Sequence, residues 1–98
     1  MLFVVQFRDE PGMLHIRKQK MAAHLEFLKK HQGVVRVAGS LRREEDDSAV
    51  GGMWIVDAAT FEEVKQLYRD DPFWIAGLRQ SVEVHRRAKA FPDQERAV

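Results

Sequence analysis

The stretch Gly51-Gly52-Met53-Trp54-Ile55-Val56-Asp57, followed by Thr60-Phe61-Glu62-Glu63, decides the fold. The first part reads as a β-strand, Met53 to Asp57, opened by two glycines. The second has the form of a capping box, with Thr60 as N-cap and Glu63 reaching back to start a helix. Along the strand, Met53 and Ile55 point to one side and Trp54 and Val56 to the other. An antiparallel strand with one wet face alternates apolar and polar residues. Here both sides are apolar, so both faces of the sheet are expected to be covered.

The same pattern opens the chain. Leu2 to Arg8 reads as a strand with Phe3, Val5 and Phe7 on one side and Leu2 and Val4 on the other. Asp9, Glu10, Pro11 and Gly12 end it as a turn. From Leu14 to Gln32 the period becomes helical, with Leu14, Met21, Leu25 and Leu28 as the predicted buried stripe. Gly33 is the stop signal, after Lys29, Lys30 and His31, whose charge suits a helix C-terminus. Val34 to Leu41 is a second strand, and the charged loop Arg42 to Ser48 joins it to the third as a hairpin. Phe61, Val64, Leu67 and Tyr68 form the stripe of the second helix. Pro72 ends that helix and, with Asp71 as N-cap, begins a short helical turn closed by Gly77. Gln80 to about Ala90 is the last strand.

The order is strand, helix, strand, strand, helix, strand. Two right-handed crossovers in that order give an α+β, ferredoxin-like βαββαβ antiparallel sheet with two helices on one face. The chain has nothing left to cover the other face, so a homodimer is expected. Its 98 residues suffice for one domain, expected over 1–91, with a frayed tail at 92–98.

Composition excludes much else. Apolar residues make up 45% of the chain and charged residues 32%, which suits a folded globule. There is no cysteine, so disulfides and thiolate zinc sites are out. A net charge of +1 provides no global field for nucleic acid or an anionic membrane. The opening Met1 to Phe7 has no basic leader, and no apolar run approaches ~20 residues. A cytoplasmic protein bound to neither membrane nor nucleic acid is expected.

Four histidines bear on chemistry. His15, His24, His31 and His85 form no His-x-His or His-Glu-x-x-His spacing, so no metal and no other cofactor is expected. On a helical projection His24 falls about 70° from the centre of the predicted stripe. Arg17 lies in nearly the same direction, two turns earlier. At that margin a histidine with its tip in water is the simpler reading of the spacing, and a cleft-facing role the sharper one. Asp71 is first of all a turn and capping residue. A capping aspartate still has a lone pair free, and helices lying side by side would let it approach His24.

The opening Leu2-Phe3-Val4-Val5, His24 with Leu25 and Leu28 after it, Gly33, Ala38-Gly39, Gly52 and Asp70-Asp71-Pro72-Phe73-Trp74-Ile75-Ala76-Gly77-Leu78 together resemble the YciI-like (YCII-related) family. The resemblance runs from Leu2 to about Phe91, and its most specific segment is Asp-Pro-Phe-x-x-Ala-Gly-Leu. It implies a dimeric α+β barrel and an active site built on the helix-one histidine and the aspartate of Asp-Pro, here His24 and Asp71. The family often has Gly-Pro where this chain has Gly39-Ser40, and an arginine at the position of Met21. By that resemblance Ser40, and Arg17 one turn before Met21 as a substitute for the family arginine, are the positions expected to contact substrate.

The function expected is a cofactor-free small-molecule enzyme in which a His24–Asp71 pair moves protons. Elimination, dehydrohalogenation or isomerisation fits, because neither a metal nor an activated nucleophile is evident. The first rival is a dimeric module that binds a small ligand without turnover. The second is RNA binding, since the RRM shares the strand order. Gly52-Met53-Trp54-Ile55-Val56 lacks the basic residue and paired aromatics of an RRM strand, which weighs against it.

Overall fold

The computed structural model describes residues 1–92. Strand β1 (Leu2–Asp9) leads into helix α1 (Leu14–Lys30), the hairpin β2 (Val35–Arg42) and β3 (Ala49–Asp57), helix α2 (Phe61–Arg69), the short helix α3 (Pro72–Ile75) and strand β4 (Arg79–Arg86). The four strands form one antiparallel sheet in the order β2-β3-β1-β4. Each βαβ crossover therefore skips one strand, as the ferredoxin-like order requires. The expected tail at 92–98 lies outside the described residues except for Pro92.

Local signals place the elements. The Thr60 hydroxyl accepts from the Glu63 backbone N–H at 3.2 Å, and the Glu63 carboxylate accepts from the Ala59 N–H at 3.0 Å, so the capping box forms with its return bond one residue earlier than usual. Asp71 caps α3, accepting from the Phe73 N–H at 3.2 Å with Pro72 in the first turn. Gly77 takes φ +81°, a left-handed turn closed to most side chains, and Leu78 then returns into the core. Helix α1 stops at Lys30 rather than Gln32: His31, at φ −108° and ψ 20°, leaves the helical range as the C-cap, and the Gln32 N–H bonds back to Lys29 in a tighter turn.

One face of the sheet carries the core. Phe3, Val5 and Phe7 of β1 meet Trp54 and Val56 of β3 and are covered by Val64 and Tyr68 of α2, with Phe27 and Leu28 of α1 packed at the side. Phe7 meets the rings of both Trp54 and Tyr68 edge-on. Strand alternation sends Leu2, Val4, Met53, Ile55 and Val37 to the opposite face. Phe3 and Val5 thus belong to the core under the helices.

Helix α1 differs from its sequence reading. Leu14 and Leu25 are 53% and 55% exposed, whereas Arg17 and His24 are the buried residues of the helix. The helix is rotated so that His24 sits at the middle of the inward face, between Arg17 and Leu28, and not at its margin. The aliphatic residues of α1 would favour the other rotation. Ion pairs available to Arg17 and His24 in the interior decide against it.

Candidate active site

Beneath α1 the interior is polar. His24 is 7% exposed and Asp71 only 1%. The His24 Nδ1 lies 2.8 Å from Asp71 Oδ1, the oxygen that also accepts the Phe73 N–H. A carboxylate only accepts, so Nδ1 carries the shared proton, and in the neutral imidazole Nε2 keeps its lone pair. The imidazole lies flat against the Phe73 ring, with centroids 3.9 Å apart and planes 11° from parallel. Bond and stack together leave the ring no freedom to turn.

Asp9, at the end of β1, holds two guanidiniums beside this pair. Its Oδ2 accepts from Arg17 Nη2 and its Oδ1 from Arg79 Nη1, both at 2.7 Å. Arg17 also donates to the Gly51 carbonyl at 3.1 Å. Both guanidiniums approach the Phe73 ring, at 5.4 Å for Arg17 and 5.2 Å for Arg79, and Arg79 is also 4.5 Å from the Phe7 centroid. Burial pushes the Arg79 guanidinium below the usual arginine range, and the bond and charge of Asp9 pull it back.

The sequence-predicted residues divide. His24, Asp71 and Arg17 come together, on α1 and at the α2–α3 junction. Ser40 is exposed on the edge strand β2, opposite Gly52 of β3, and its hydroxyl accepts from Arg42 Nε at 3.0 Å. Asp9, Phe73 and Arg79 are parts of the arrangement that sequence reasoning missed. Asp9 reads as a turn residue, Phe73 as core, and Arg79 falls between Gly77 and the last strand. The Asp9–Arg79 bond spans 70 positions, and no local spacing signals it.

A groove of about 620 Å³ opens on the helix-free face, lined among others by Gln6, Arg8, Leu41, Ser81 and Glu83. Asp9 and Gly51 are common to it and the cluster, while His24 and Asp71 are not part of it. No group of three His, Asp or Glu among the described residues is placed to hold a metal ion. No helix among them is long and apolar enough to cross a membrane.

With this fold, the chain belongs to the family of the YCII-related domain, whose model matches residues 1–88. Among solved structures it is similar to 5-chloro-2-hydroxyhydroquinone dehydrochlorinase (TftG) from Burkholderia phenoliruptrix, in complex with 2,5-dihydroxybenzoquinone. The two are 33% identical, the match covers 90% of this chain and 94% of that one, and the TM-score is 0.81. SnoaB, a cofactor-independent oxygenase from Streptomyces nogalater, shares the fold at 13% identity, over 94% of this chain and 96% of that one, with a TM-score of 0.52. No curated protein matches the chain.

Proposed function

We propose that the chain is a cofactor-free, homodimeric small-molecule enzyme in which His24 is the general acid/base and Asp71 orients it, acting by elimination, dehydrohalogenation or isomerisation. The observation that carries this reading is the 2.8 Å contact between His24 Nδ1 and the buried Asp71 carboxylate. It fixes one tautomer and leaves Nε2 as the proton acceptor. The likeness to TftG, a dehydrochlorinase, supports the reaction class.

In the elimination form, Nε2 takes a proton from the substrate. The electron pair left behind forms the new double bond, and the leaving group departs with the pair of the bond that breaks. The imidazolium is stabilised by Asp71 until the proton is passed on. In the isomerisation form, the same proton returns to a different substrate atom. Arg17, two turns from His24 on the same helix face, is the substrate-contacting cation. Ser40, opposite Gly52 on the edge strand β2, is the second substrate-contacting position of the same proposal.

The homodimer follows from the helix-free face, where Val4, Ile55, Met53 and Val37 lie side by side. A second copy is the covering proposed for it. The test is turnover of chlorinated hydroxyhydroquinones, with chloride release as the readout. Chloride release by the wild type that is lost in His24→Ala supports the reading. Binding without turnover, unaffected by that substitution, would leave a ligand-binding module in its place.

A further inference from the structure

Two features of the clasp around Asp9 go beyond cohesion. The first is how Arg79 comes to be there. Along β1 and β4 the pairs run Phe7 with Val82 and Arg8 with Ser81, so a regular ladder would set Gln80 opposite Asp9. Alternation would also send Gln80 to the helix side, where Val82 packs against the core. The register shifts at this point, and Arg79 stands opposite Asp9 instead. Gln80 joins Ser81 in lining the groove on the helix-free face, while the Arg79 head turns under the helices against Phe7 and Phe73. A bulge is a means of re-aiming a side chain. Here it exchanges an amide for a guanidinium beside Asp9. Gly52 leaves room for that guanidinium, since a Cβ there would come within 3.0 Å of Arg79 Nη2.

The second feature is how the clasp divides. Asp9 gives one oxygen to each arginine, Oδ2 to Arg17 Nη2 and Oδ1 to Arg79 Nη1. With His24 neutral, Asp9 and Asp71 balance Arg17 and Arg79, so the clasp is electrically complete by itself. Arg17 is gripped through Nη2 alone, by Asp9 and by the Gly51 carbonyl at 3.1 Å. Its Nη1 takes part in neither bond. Two strands thus fix one corner of a long side chain and leave another corner to donate. Arg79, whose side chain is 3% exposed against 11% for Arg17, is placed to hold Asp9 rather than to meet a ligand.

We propose that Asp9 and Arg79 are positioning residues that act through Arg17. Arg79 fixes the Asp9 carboxylate in the rotamer that reaches α1, Asp9 clamps Arg17 by Nη2, and Nη1 is the donor offered to substrate. This rests on the reading of Arg17 as the substrate-contacting cation and does not need His24 to be a base. A clamped guanidinium loses less freedom on binding than a free one, so the clamp acts on affinity. Substrate and transition state gain alike, and the effect falls on KM rather than on kcat.

The experiment is a double-substitution cycle read in kcat, in KM and in the dissociation constant of a chlorinated hydroxyhydroquinone. Arg79→Met should raise KM and the dissociation constant about tenfold with kcat little changed. The same substitution in an Arg17→Met protein should change neither further, because its route to substrate is gone. Arg79→Lys, which keeps a donor for Asp9, should recover most of the loss. Should Arg79→Met not fold, Gly52→Ala pushes the same head aside and takes its place in the cycle. By ¹⁵N NMR the Arg17 guanidinium of the wild type should turn slowly about Nε–Cζ, and Gly52→Ala should speed it. Slow rotation released in this way supports the clamp even where the compound does not bind, and free rotation in the wild type overturns it. Equal losses in both backgrounds would make Arg79 merely structural and overturn the proposal, with His24-dependent turnover untouched. Chloride release indifferent to His24→Ala, with the cycle still non-additive in the dissociation constant, would overturn the base and keep the clamp.

Discussion

The imidazole of His24 and the ring of Phe73 lie face to face at 3.9 Å, and the carboxylate that holds that imidazole belongs to Asp71, two residues before Phe73. One short segment, Asp71-Pro72-Phe73, thus grips the histidine by its edge and by its face. Pro72 fixes the backbone between the two contacts, and the Phe73 N–H returns to the same carboxylate oxygen that His24 meets. The cap of α3 and the orientation of His24 are one structure, which is why a turn signal and a functional signal coincide in the sequence.

His24→Ala is expected to lower any turnover by roughly 10² to 10⁴ fold with the fold intact, as read by initial rates beside circular dichroism. Asp71→Asn keeps an acceptor oxygen for the Phe73 N–H and should preserve the cap. It removes the negative charge that holds the tautomer, so activity falls. Asp71→Ala leaves both the Phe73 N–H and the His24 Nδ1 without an acceptor in the interior and should cost roughly 1–3 kcal/mol in denaturant unfolding. An Asp71→Asn protein as active as the wild type would confine Asp71 to capping.

The dimer has a sharper test than sequence alone allows. Strand alternation assigns Phe3 and Val5 to the core, so a charge there would unfold the subunit rather than probe association. Val4→Asp and Val37→Asp place the charge on the helix-free face. Each should shift the species in sedimentation velocity from two copies to one while keeping the circular dichroism spectrum. A wild type that sediments as one copy at micromolar concentration would sink the dimer.

The strand order was legible because each element begins or ends on strong local chemistry: Pro11-Gly12, the Thr60 box, Pro72 and Gly77. The family was legible for the same reason, since its most specific residues form one contiguous turn. The rotation of α1 was not. Periodicity ranks Leu14 and Leu25 inward because it weighs hydrophobicity one residue at a time. In the folded chain Arg17 and His24 go inward instead, each with a carboxylate partner outside the helix: Asp9 at the end of β1 for Arg17 and Asp71, 47 positions on, for His24. Asp9 and Arg79 were illegible for a related reason: a buried ion pair between a strand end and a strand start leaves no periodic trace.

The β2–β3 loop has its own pH signature. Hydrogen bonds from the Ser48 hydroxyl, at 2.8 Å, and the Ser48 N–H, at 3.1 Å, lower the Asp46 carboxyl from its ordinary 3.8. A carboxyl depressed in the folded state stabilises above its unfolded value and loses that contribution as pH falls through the folded one. The loop is therefore supported at neutral pH and loosens only in acid below the ordinary carboxylate range. Ser48→Ala deletes the larger of the two effects. The Asp46 carboxyl, followed by NMR titration, should rise toward 3.8. An unchanged titration would show that the Ser48 hydroxyl is not its partner in solution.

The adjacent glycines of β3 should respond unequally to alanine. A Cβ on Gly51 would land against the Phe7 carbonyl oxygen, which belongs to the β1 backbone and cannot move without breaking the ladder. Gly51→Ala should therefore destabilise by roughly 3 kcal/mol or more, and it would also disturb the carbonyl that Arg17 uses. A Cβ on Gly52 meets chiefly the Arg79 guanidinium, the far end of a flexible side chain, at 3.0 Å. That side chain can yield, so Gly52→Ala should cost less, about 1 kcal/mol, while displacing Arg79 from the Phe73 ring. Urea unfolding measures the first difference, and the Arg79 Nε–H chemical shift in the folded protein measures the second. A Gly52→Ala protein as unstable as Gly51→Ala would mean that Arg79 is fixed rigidly in place. A Gly51→Ala protein of wild-type stability would contradict the close approach of β3 to β1 at Phe7.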